Sequence, residues 1–461
     1  MAFDEASWLR LERRDPGETL RAALGRALRD AILAGALREG VRLPASRALA
    51  QQLGVSRGVV SDAYAQLEAQ GFLVTRARAA PLVAAVPQRV VVRHAPDESE
   101  PAPRYDFTPT SPDPNLFPLR RWLAAAQHVG RRASASTLGY GDPRGERVLR
   151  EALADHLGRT RGVVADPEQI VIVQGTAQGV DLLLRVLRER GASRVAVEDP
   201  SHTTQHERIR AHGLELVACP VDGDGIVVDG LDADAALVTP AHQFPTGCVL
   251  SGDRRRRLLA WSREGGGLIV EDDYDSEFRY DREGVRSLQG LAPAHVVLLG
   301  TVSKTLAPAL RLGWMVAPAG LADEVHRAKR LVDDFSPALD QLALAELLTR
   351  GDYDRHLRRA RAVYRARRDR LLAALSKYLP ELPAEGIAAG VHLLLRLPAG
   401  VDDAAVARDA AAVRIRVPPL SAFRVVPTDA AGLVVGYGLL HEEAVTPATR
   451  ALAAVVRAHL R

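Results

Sequence analysis

The sequence predicts a two-part α/β chain: a small, basic, helical unit ahead of a large unit built on a mainly parallel sheet. Three observations carry this. At 461 residues the chain exceeds one compact core. Its net charge of +4 is unevenly placed: residues 1–93 hold 14 arginines, no lysine and 9 acidic residues, while the remainder holds 47 basic and 48 acidic residues. Between Pro87 and Pro118 stand eight prolines, with Asp97–Glu98–Ser99–Glu100 among them, the composition of a semi-rigid connector. The expected division is 1–86, a linker at 87–104, and 105–461.

Several classes are excluded at once. No apolar run reaches bilayer length, and no basic start with an apolar stretch and small-residue cleavage site is present. Two cysteines, Cys219 and Cys248, form neither a disulfide framework nor a metal quartet, so no metal is expected. The expectation is a soluble cytoplasmic protein. Only Lys304, Lys329 and Lys377 can supply a side-chain amine.

In the small unit, Leu20, Leu24, Leu28, Ala31 and Ile32 form a helical stripe ending at Gly35. Leu43–Pro44 breaks the chain, Ser46 to Leu53 makes a short second helix, and Gly54–Val55 turns tightly. Ser56 caps a third helix with Val60, Ala63, Tyr64 and Leu67 inward. Leu73–Thr75 and Leu82–Val86 read as short strands around Arg76–Pro81. Three helices, a turn and a ribbon make a winged helix-turn-helix, whose third helix suits a major groove and whose basic charge suits double-stranded DNA.

In the large unit, Ile170–Val173, Val195–Val197, Leu214–Ala218, Ala236–Thr239, Leu268–Val270, Val296–Leu299 and Gly313–Val316 alternate with helical stretches. Ligands of such sheets gather at the strands' carboxyl ends. Lys304 stands there, with Thr301, Ser303 and Arg311 near it in sequence. An amine beside anion ligands suggests a Schiff base to a phosphorylated aldehyde, pyridoxal phosphate. Glu271–Asp272–Asp273–Tyr274–Asp275 ends another strand. One carboxylate there suits a pyridinium nitrogen, and the tyrosine suits a ring hydroxyl. So many carboxylates in one place also demand a cation. Gln174–Gly175–Thr176–Ala177–Gln178–Gly179 opens a helix whose amides suit phosphate. Glu198–Asp199–Pro200–Ser201–His202 carries a ring able to cover a cofactor face.

The stretch RLPASRALAQQLGVSRGVVSDAYAQLEAQGFL resembles the GntR-type winged helix along its length. LGYGDPRG (138–145), QGTAQG, VEDP, TPAHQFPTG (239–247), VEDDYDSEFRY (270–280), GTVSKTLAPALRLGW (300–314) and RRARAVYRARRDRLLAAL (358–375) together resemble fold-type I aminotransferases. The whole chain is thus similar to the MocR/GabR family of pyridoxal-phosphate-dependent transcriptional regulators. The resemblance implies an aldimine at Lys304, a pyridine-nitrogen partner in Asp272, and a ring-hydroxyl partner in Tyr274. It assigns phosphate contacts to Gly175, Thr176, Thr301 and Arg311, with Ser303 beside them, and ring stacking to His202, where relatives carry a larger aromatic. Gln243 stands where many aminotransferases have the asparagine of Asn-Pro. Tyr140 would reach the cofactor of a second subunit in a head-to-tail homodimer. DNA contacts fall on Arg42, Arg47, Ser56 and Arg57, and on Arg76 and Arg78 of a wing tip that lacks the family's glycines.

One departure bears on activity. LVVGYGLL (433–440) lacks the arginine with which such aminotransferases hold a substrate carboxylate, and Thr204 replaces an arginine of the GABA-responsive member. Arg416 and Arg424 are the substitutes nearby. Efficient transamination and a GABA-like effector are therefore disfavoured. The expected function is a regulator sensing pyridoxal phosphate, with or without a small amino compound. Three alternatives stay open: an active aminotransferase with an appended DNA-binding domain, a vitamin B6 sensor that needs no amino compound, and a degenerate site that no longer binds cofactor. Arg254–Arg257 and the Arg-rich helix at 354–370 read as solvated faces.

Overall fold

A computed structural model describes residues 18–75, 79–85, 102–280 and 285–460. The chain forms two compact units, 1–100 and 101–461. In the first, helices run Leu20–Leu33, Ser46–Leu53 and Arg57–Ala69, followed by antiparallel strands Leu73–Val74 and Leu82–Val83. Each boundary has a local cause. Thr19 Oγ1 accepts the Ala22 amide and Ser56 Oγ accepts the Val59 amide, satisfying donors that a helix start leaves open. Gly54, at φ 64°, closes the second helix in the left-handed conformation that a side chain resists. Leu24, Leu28 and Ile32 meet Leu49, Val60, Ala63 and Leu67 in one core. The Tyr64 hydroxyl donates to the Pro44 carbonyl at 3.0 Å and pins the third helix to the chain break. The ribbon is shorter than its apolar run suggests, because only Leu73 with Val83 and Val74 with Leu82 are paired; Arg42 extends it by bridging Leu82.

The second unit is layered about an eight-stranded sheet. Its order is Ile170–Val173, Gly313–Val316, Val296–Thr301, Leu268–Asp273, Ala235–Val238, Arg194–Asp199, Glu215–Asp222 and Gly225–Ile226. Gly313–Val316 runs antiparallel to both neighbours and Gly225–Ile226 antiparallel to its one; every other pairing is parallel. The seven expected strands are all present, and Gly225–Ile226 is too short to have announced itself. Strand alternation divides the core. Val171, Val173, Val297 and Leu299 pack against the helices Gly175–Glu189 and Ala319–Asp333. Ile170, Ile172, Leu298 and Trp314 face the other way, towards Leu153, Leu157, Leu344 and Tyr364. Each such large side chain contributes about 1.5–3 kcal/mol by leaving water. A three-stranded antiparallel sheet, Ala384–Glu385, His392–Arg396 and Gly432–Gly436, completes the unit. No helix among the described residues is long and apolar enough to cross a membrane.

Two sequence expectations need correction. The Arg-rich helix spans Asp352–Tyr378, and it is not merely a solvated face. Arg367 is buried, pairs with buried Asp113 at 2.5 Å and donates to the Gly438 carbonyl at 2.6 Å. Its charge offsets the burial that raises the Asp113 carboxyl, leaving that group below its usual range. Arg254 and Arg255, in the helix Gly252–Gly265, are likewise engaged: Arg254 with Asp222 and the Ile226 carbonyl, Arg255 with the carbonyls of Leu250, Pro240 and Arg286. A run of arginines in sequence does not reveal which of them meet a carbonyl in the fold.

Truncating one member of a buried ion pair strands the other. Arg367→Ala is expected to destabilise the protein by about 3–5 kcal/mol in denaturant titration. Arg370→Ala, which removes a half-exposed pair with Glu442, should cost under about 1 kcal/mol. Equal losses for the two variants would contradict this account of the helix.

Candidate functional site

The carboxyl ends of the strands Leu268–Asp273 and Val296–Thr301 lie side by side, with Leu299 paired to Asp272 and Gly300 to Asp273. The chain leaves the second of them directly into Val302–Ser303–Lys304. Strand alternation sorts the carboxylates here. Glu271 and Asp273 share one face and meet Arg161, at 3.9 and 2.8 Å. Asp272 points to the other face, where the charge of Lys304 acts on it. Arg161, 112 residues upstream of Asp273, is the cation that the acidic cluster demanded and that nothing in the local sequence identified.

Asp272 is buried and its Oδ1 has no hydrogen-bond partner among the described residues. Burial first, then the charge of Asp273, pushes its carboxyl up to about 7, against the pull of Lys304. The Lys304 ammonium is held below its ordinary range by burial, partly offset by Asp272 and Asp275. Its Nζ lies 3.4 Å from Thr110 Oγ1. The site thus holds an amine with a lowered proton affinity near a carboxyl oxygen that lacks a partner.

The neighbouring anion-binding features come from three places. The helix Gly175–Glu189 starts without a side-chain cap, leaving its first-turn amides open to an anion. Gly175 sits at φ 76°, a conformation that strains a side chain, and a Cβ there would press on the Arg311 guanidinium at 3.2 Å. Arg311 itself adopts φ 52° and donates to the Gln174 carbonyl at 2.6 Å, which holds its guanidinium at the helix start. Thr176 is partly exposed on the first turn. Thr301 and Ser303 are buried, with hydroxyls 2.9 Å apart, and Thr301 Oγ1 accepts the Ser303 amide at 3.1 Å.

Aromatic and histidine groups gather within reach of the Lys304 charge. The His202 ring lies parallel on Phe244 at 3.8 Å and edge-on to Tyr274 at 6.0 Å. Burial, with Lys304 and His206, lowers its pKa to about 3, so it is a neutral aromatic surface. The buried Tyr274 hydroxyl donates to the His242 carbonyl at 3.0 Å. His242 Nδ1 lies 2.8 Å from Asp275 Oδ2, and His392 packs 4.8 Å from the His242 ring. These three buried side chains bring metal-capable atoms within 4.8 Å of one another, a cluster that sequence spacing does not show because His392 comes from the C-terminal sheet.

Other expected site residues have partners of their own or stand exposed. Gln243 is fully engaged: its Nε2 donates to the Pro200 and Phe244 carbonyls at 2.9 and 2.6 Å, and its Oε1 accepts from Thr246. Tyr140 is 92% exposed, its ring edge-on to Phe335, and no contact brings it to Lys304. Arg416 is paired with Asp106 at 2.9 Å, whereas Arg424 Nε is buried without a partner among the described residues. Its loop is clamped to the stacking segment, since Asp199 accepts the Val425 and Val426 amides at 2.9 and 3.0 Å. Lys329 is 0% exposed and pairs with Asp333 at 2.8 Å. Asp333 also accepts from Gln178, whose Oε1 accepts the Gln174 amide, so this second lysine braces the anion-binding turn.

In the small unit, Arg42, Arg47, Ser56 and Arg57 are all exposed. The Ser56 oxygen caps the third helix, and Arg57 occupies that helix's first turn, where no acidic residue is found. A cation at a helix N-terminus is unfavourable for the helix itself and favourable for a bound phosphate. Arg76 and Arg78 lie outside the described residues.

Residues 20–83 match the family of bacterial regulatory proteins designated gntR, and residues 110–433 match aminotransferase class I and II. The probable rhizopine catabolism regulatory protein MocR of Rhizobium meliloti is 32% identical over 88% of this chain and 88% of its own. The pyridoxine biosynthesis transcriptional regulator PdxR of Corynebacterium glutamicum is 34% identical over 80% of this chain and 81% of its own. Among solved structures, the α-aminoadipate aminotransferase LysN of Thermus thermophilus, complexed with N-(5′-phosphopyridoxyl)-L-leucine, superposes with a TM-score of 0.70. It is 27% identical, over 77% of this chain and 92% of that one.

A carboxyl held near 7 when folded and near 3.8 when unfolded binds its proton more tightly in the folded state. Between pH 4 and 7 the unfolded chain therefore binds fewer protons, and this group makes stability fall as pH rises. In ligand-free protein, Asp272→Asn is expected to flatten that slope in denaturation series across the window. Glu198, also pushed up to about 7 by burial, leaves part of it in place. An unchanged slope would show that Asp272 ionises normally.

Proposed function

Because the chain belongs to the MocR-type transcriptional regulators, in which a gntR-family DNA-binding domain precedes a class I and II aminotransferase domain, we propose that it controls transcription in response to pyridoxal 5′-phosphate, with or without an amino compound. The observation that carries this reading is the half-buried amine of Lys304 near the unpartnered oxygen of Asp272, with an uncapped helix start at Gly175 among the same strand ends. An amine, a carboxyl and an anion cradle are the groups that an aldehyde, a pyridine nitrogen and a phosphate require. The proposal divides the chain into a DNA-binding domain at 1–86, a linker at 87–104 and a cofactor-binding domain at 105–461.

When bound, pyridoxal phosphate supplies a carbonyl that condenses with primary amines and a ring that withdraws electrons. The residues of this chain prepare for it. Desolvation lowers the proton affinity of Lys304, and only the unprotonated amine is a nucleophile. Asp272 presents a carboxyl oxygen whose high proton affinity suits a shared proton on a ring nitrogen. Tyr274, with its proton directed to the His242 carbonyl, keeps its phenolic oxygen able to accept. His202 offers a flat neutral face, and Gly175, Thr176, Thr301, Ser303 and Arg311 offer donors for phosphate. Arg424 is the arginine we assign to a carboxylate on an amino effector.

The regulatory reading is favoured over a working aminotransferase by the missing arginine in LVVGYGLL. A homodimer is part of the proposal: Leu138, Tyr140 and Leu331, exposed by 70%, 92% and 72%, are large apolar groups that a second copy could cover. For the ligand to switch DNA binding it must prefer one arrangement of the protein, since equal affinity for two arrangements shifts neither.

Pyridoxal phosphate added to the protein should produce a near-visible absorption band that Lys304→Ala abolishes. A band of equal strength in the variant would refute Lys304 as the amine. On the DNA side, Arg57→Gln should weaken duplex binding and reduce the slope of log K against log salt by about 1. Duplex affinity measured at fixed salt with and without cofactor then separates a cofactor-responsive regulator from an indifferent one.

A further inference from the structure

A phenol has a single proton to donate, and its direction decides whether Tyr274 accepts from or donates to a bound ring. Two partners lie within hydrogen-bond distance of the hydroxyl, both on His242: the backbone carbonyl at 3.0 Å and Nδ1 at 3.2 Å. Burial, then the charges of Asp275 and Asp272, holds the phenol protonated, well above its usual range. The choice between the two partners therefore rests on whether Nδ1 has a lone pair to offer.

Asp275 decides that. Its Oδ2 lies 2.8 Å from His242 Nδ1, and both side chains are buried. A carboxylate offers only lone pairs, so the nitrogen facing it must carry a proton. The other ring nitrogen, Nε2, is buried and has no hydrogen-bond partner among the described residues. A second N–H there would be a stranded donor, so the neutral ring protonated at Nδ1 is the form that the surroundings favour. The pair is held from the C-terminal side of the chain. Gly390, at φ 63°, packs so closely that a Cβ would meet His242 Cε1 at 2.3 Å and Asp275 Oδ2 at 2.5 Å. The Gly390 amide donates to the Phe278 carbonyl at 2.7 Å, and the Tyr280 and Tyr437 hydroxyls donate to the Gly390 carbonyl.

We propose that His242 and Asp275 are positioning residues for Tyr274. Asp275 fixes the proton on His242 Nδ1, which withdraws that nitrogen as an acceptor and sends the Tyr274 proton to the His242 carbonyl. The lone pairs of the phenol are thereby left for the ring hydroxyl of the cofactor. This inference rests on the reading of the site as one for pyridoxal phosphate, and it names what orients the group that meets the ring. Neither positioning side chain needs to touch the cofactor, since each acts through the phenol.

In the full chain, His242→Leu should weaken pyridoxal phosphate binding severalfold, read from the near-visible band. His242→Asn, whose amide nitrogen can donate to Asp275 in place of Nδ1, should recover most of that loss. In a Tyr274→Phe background His242→Leu should cost nothing further, because residues that act through one hydroxyl do not add. Additive losses, or a His242→Asn variant as weak as His242→Leu, would make His242 merely structural and overturn the proposal. Histidine nitrogen NMR spectra of the ligand-free, unsubstituted chain give a reading that no change in stability disturbs. The resonances lost in His242→Asn should belong to a neutral ring with its proton on Nδ1. A proton on Nε2 overturns the proposal, as does an Nδ1 proton that appears only after chelation, which would place a metal in the pair. A missing near-visible band with Nδ1 protonated defeats the cofactor reading and spares the His242–Asp275 arrangement; a normal band with Nε2 protonated defeats the arrangement alone.

Discussion

Four carboxylates within five residues, at the end of a buried parallel strand, are tolerable only if cations meet them from more than one side. The period of two along a strand does the sorting. Glu271 and Asp273 turn to Arg161, and Asp272 turns towards Lys304. Asp275, beyond the strand, pairs with His242. Removing this division would leave either an excess of negative charge in the core or a lysine with no reason to be there. The lowered proton affinity of Lys304 and the raised one of Asp272 are two results of the same arrangement: both groups are desolvated, and each partly stabilises the charged form of the other.

The anion-binding turn depends on a second, quieter network. Lys329, Asp333 and Gln178 link the helix Ala319–Asp333 to the Gln174 amide, just ahead of Gly175. Gly313 packs so closely that a Cβ there would meet Gly175 Cα at 2.9 Å. The turn is therefore set by backbone packing and a buried ion pair, and Arg311 is added to a position already determined. Such preorganisation costs nothing further when an anion arrives.

What could be read in the sequence were features carried by neighbours along the chain. The seven strands were legible as apolar runs, Ser56 as a cap, Gly54 as a turn, and Lys304 as an amine after a buried strand. What could not be read were contacts between residues far apart in the chain. Arg161 stands 112 positions before Asp273, and Asp113 pairs with Arg367 across 254. Arg367 looked like a member of an ordinary Arg-rich helix and Arg161 carried no local signal, because amphipathic spacing tells which face is turned inward but not whether an acid waits there. His392 was invisible for the same reason. Gln243 was equally illegible: its place in a motif suggested a cofactor contact, and the sequence did not show that its amide holds the turn around Pro245.

The scarcity of lysine sharpens the assignment. Against 58 arginines the chain keeps three lysines, and the fold separates them. Lys377 is exposed near the end of a helix and could be arginine without consequence. Lys329 is fully buried with a single acidic partner. A guanidinium there would bring five donors to a place that supplies a carboxylate oxygen for one, whereas an ammonium is compact enough to be satisfied by few acceptors. At Lys304 the argument is chemical, since a guanidinium stays protonated and cannot serve as the nucleophile. A compositional pressure towards arginine has thus been resisted at one buried and one half-buried position. One needs a small cation to hold the anion-binding turn, and the other needs an amine that can give up its proton.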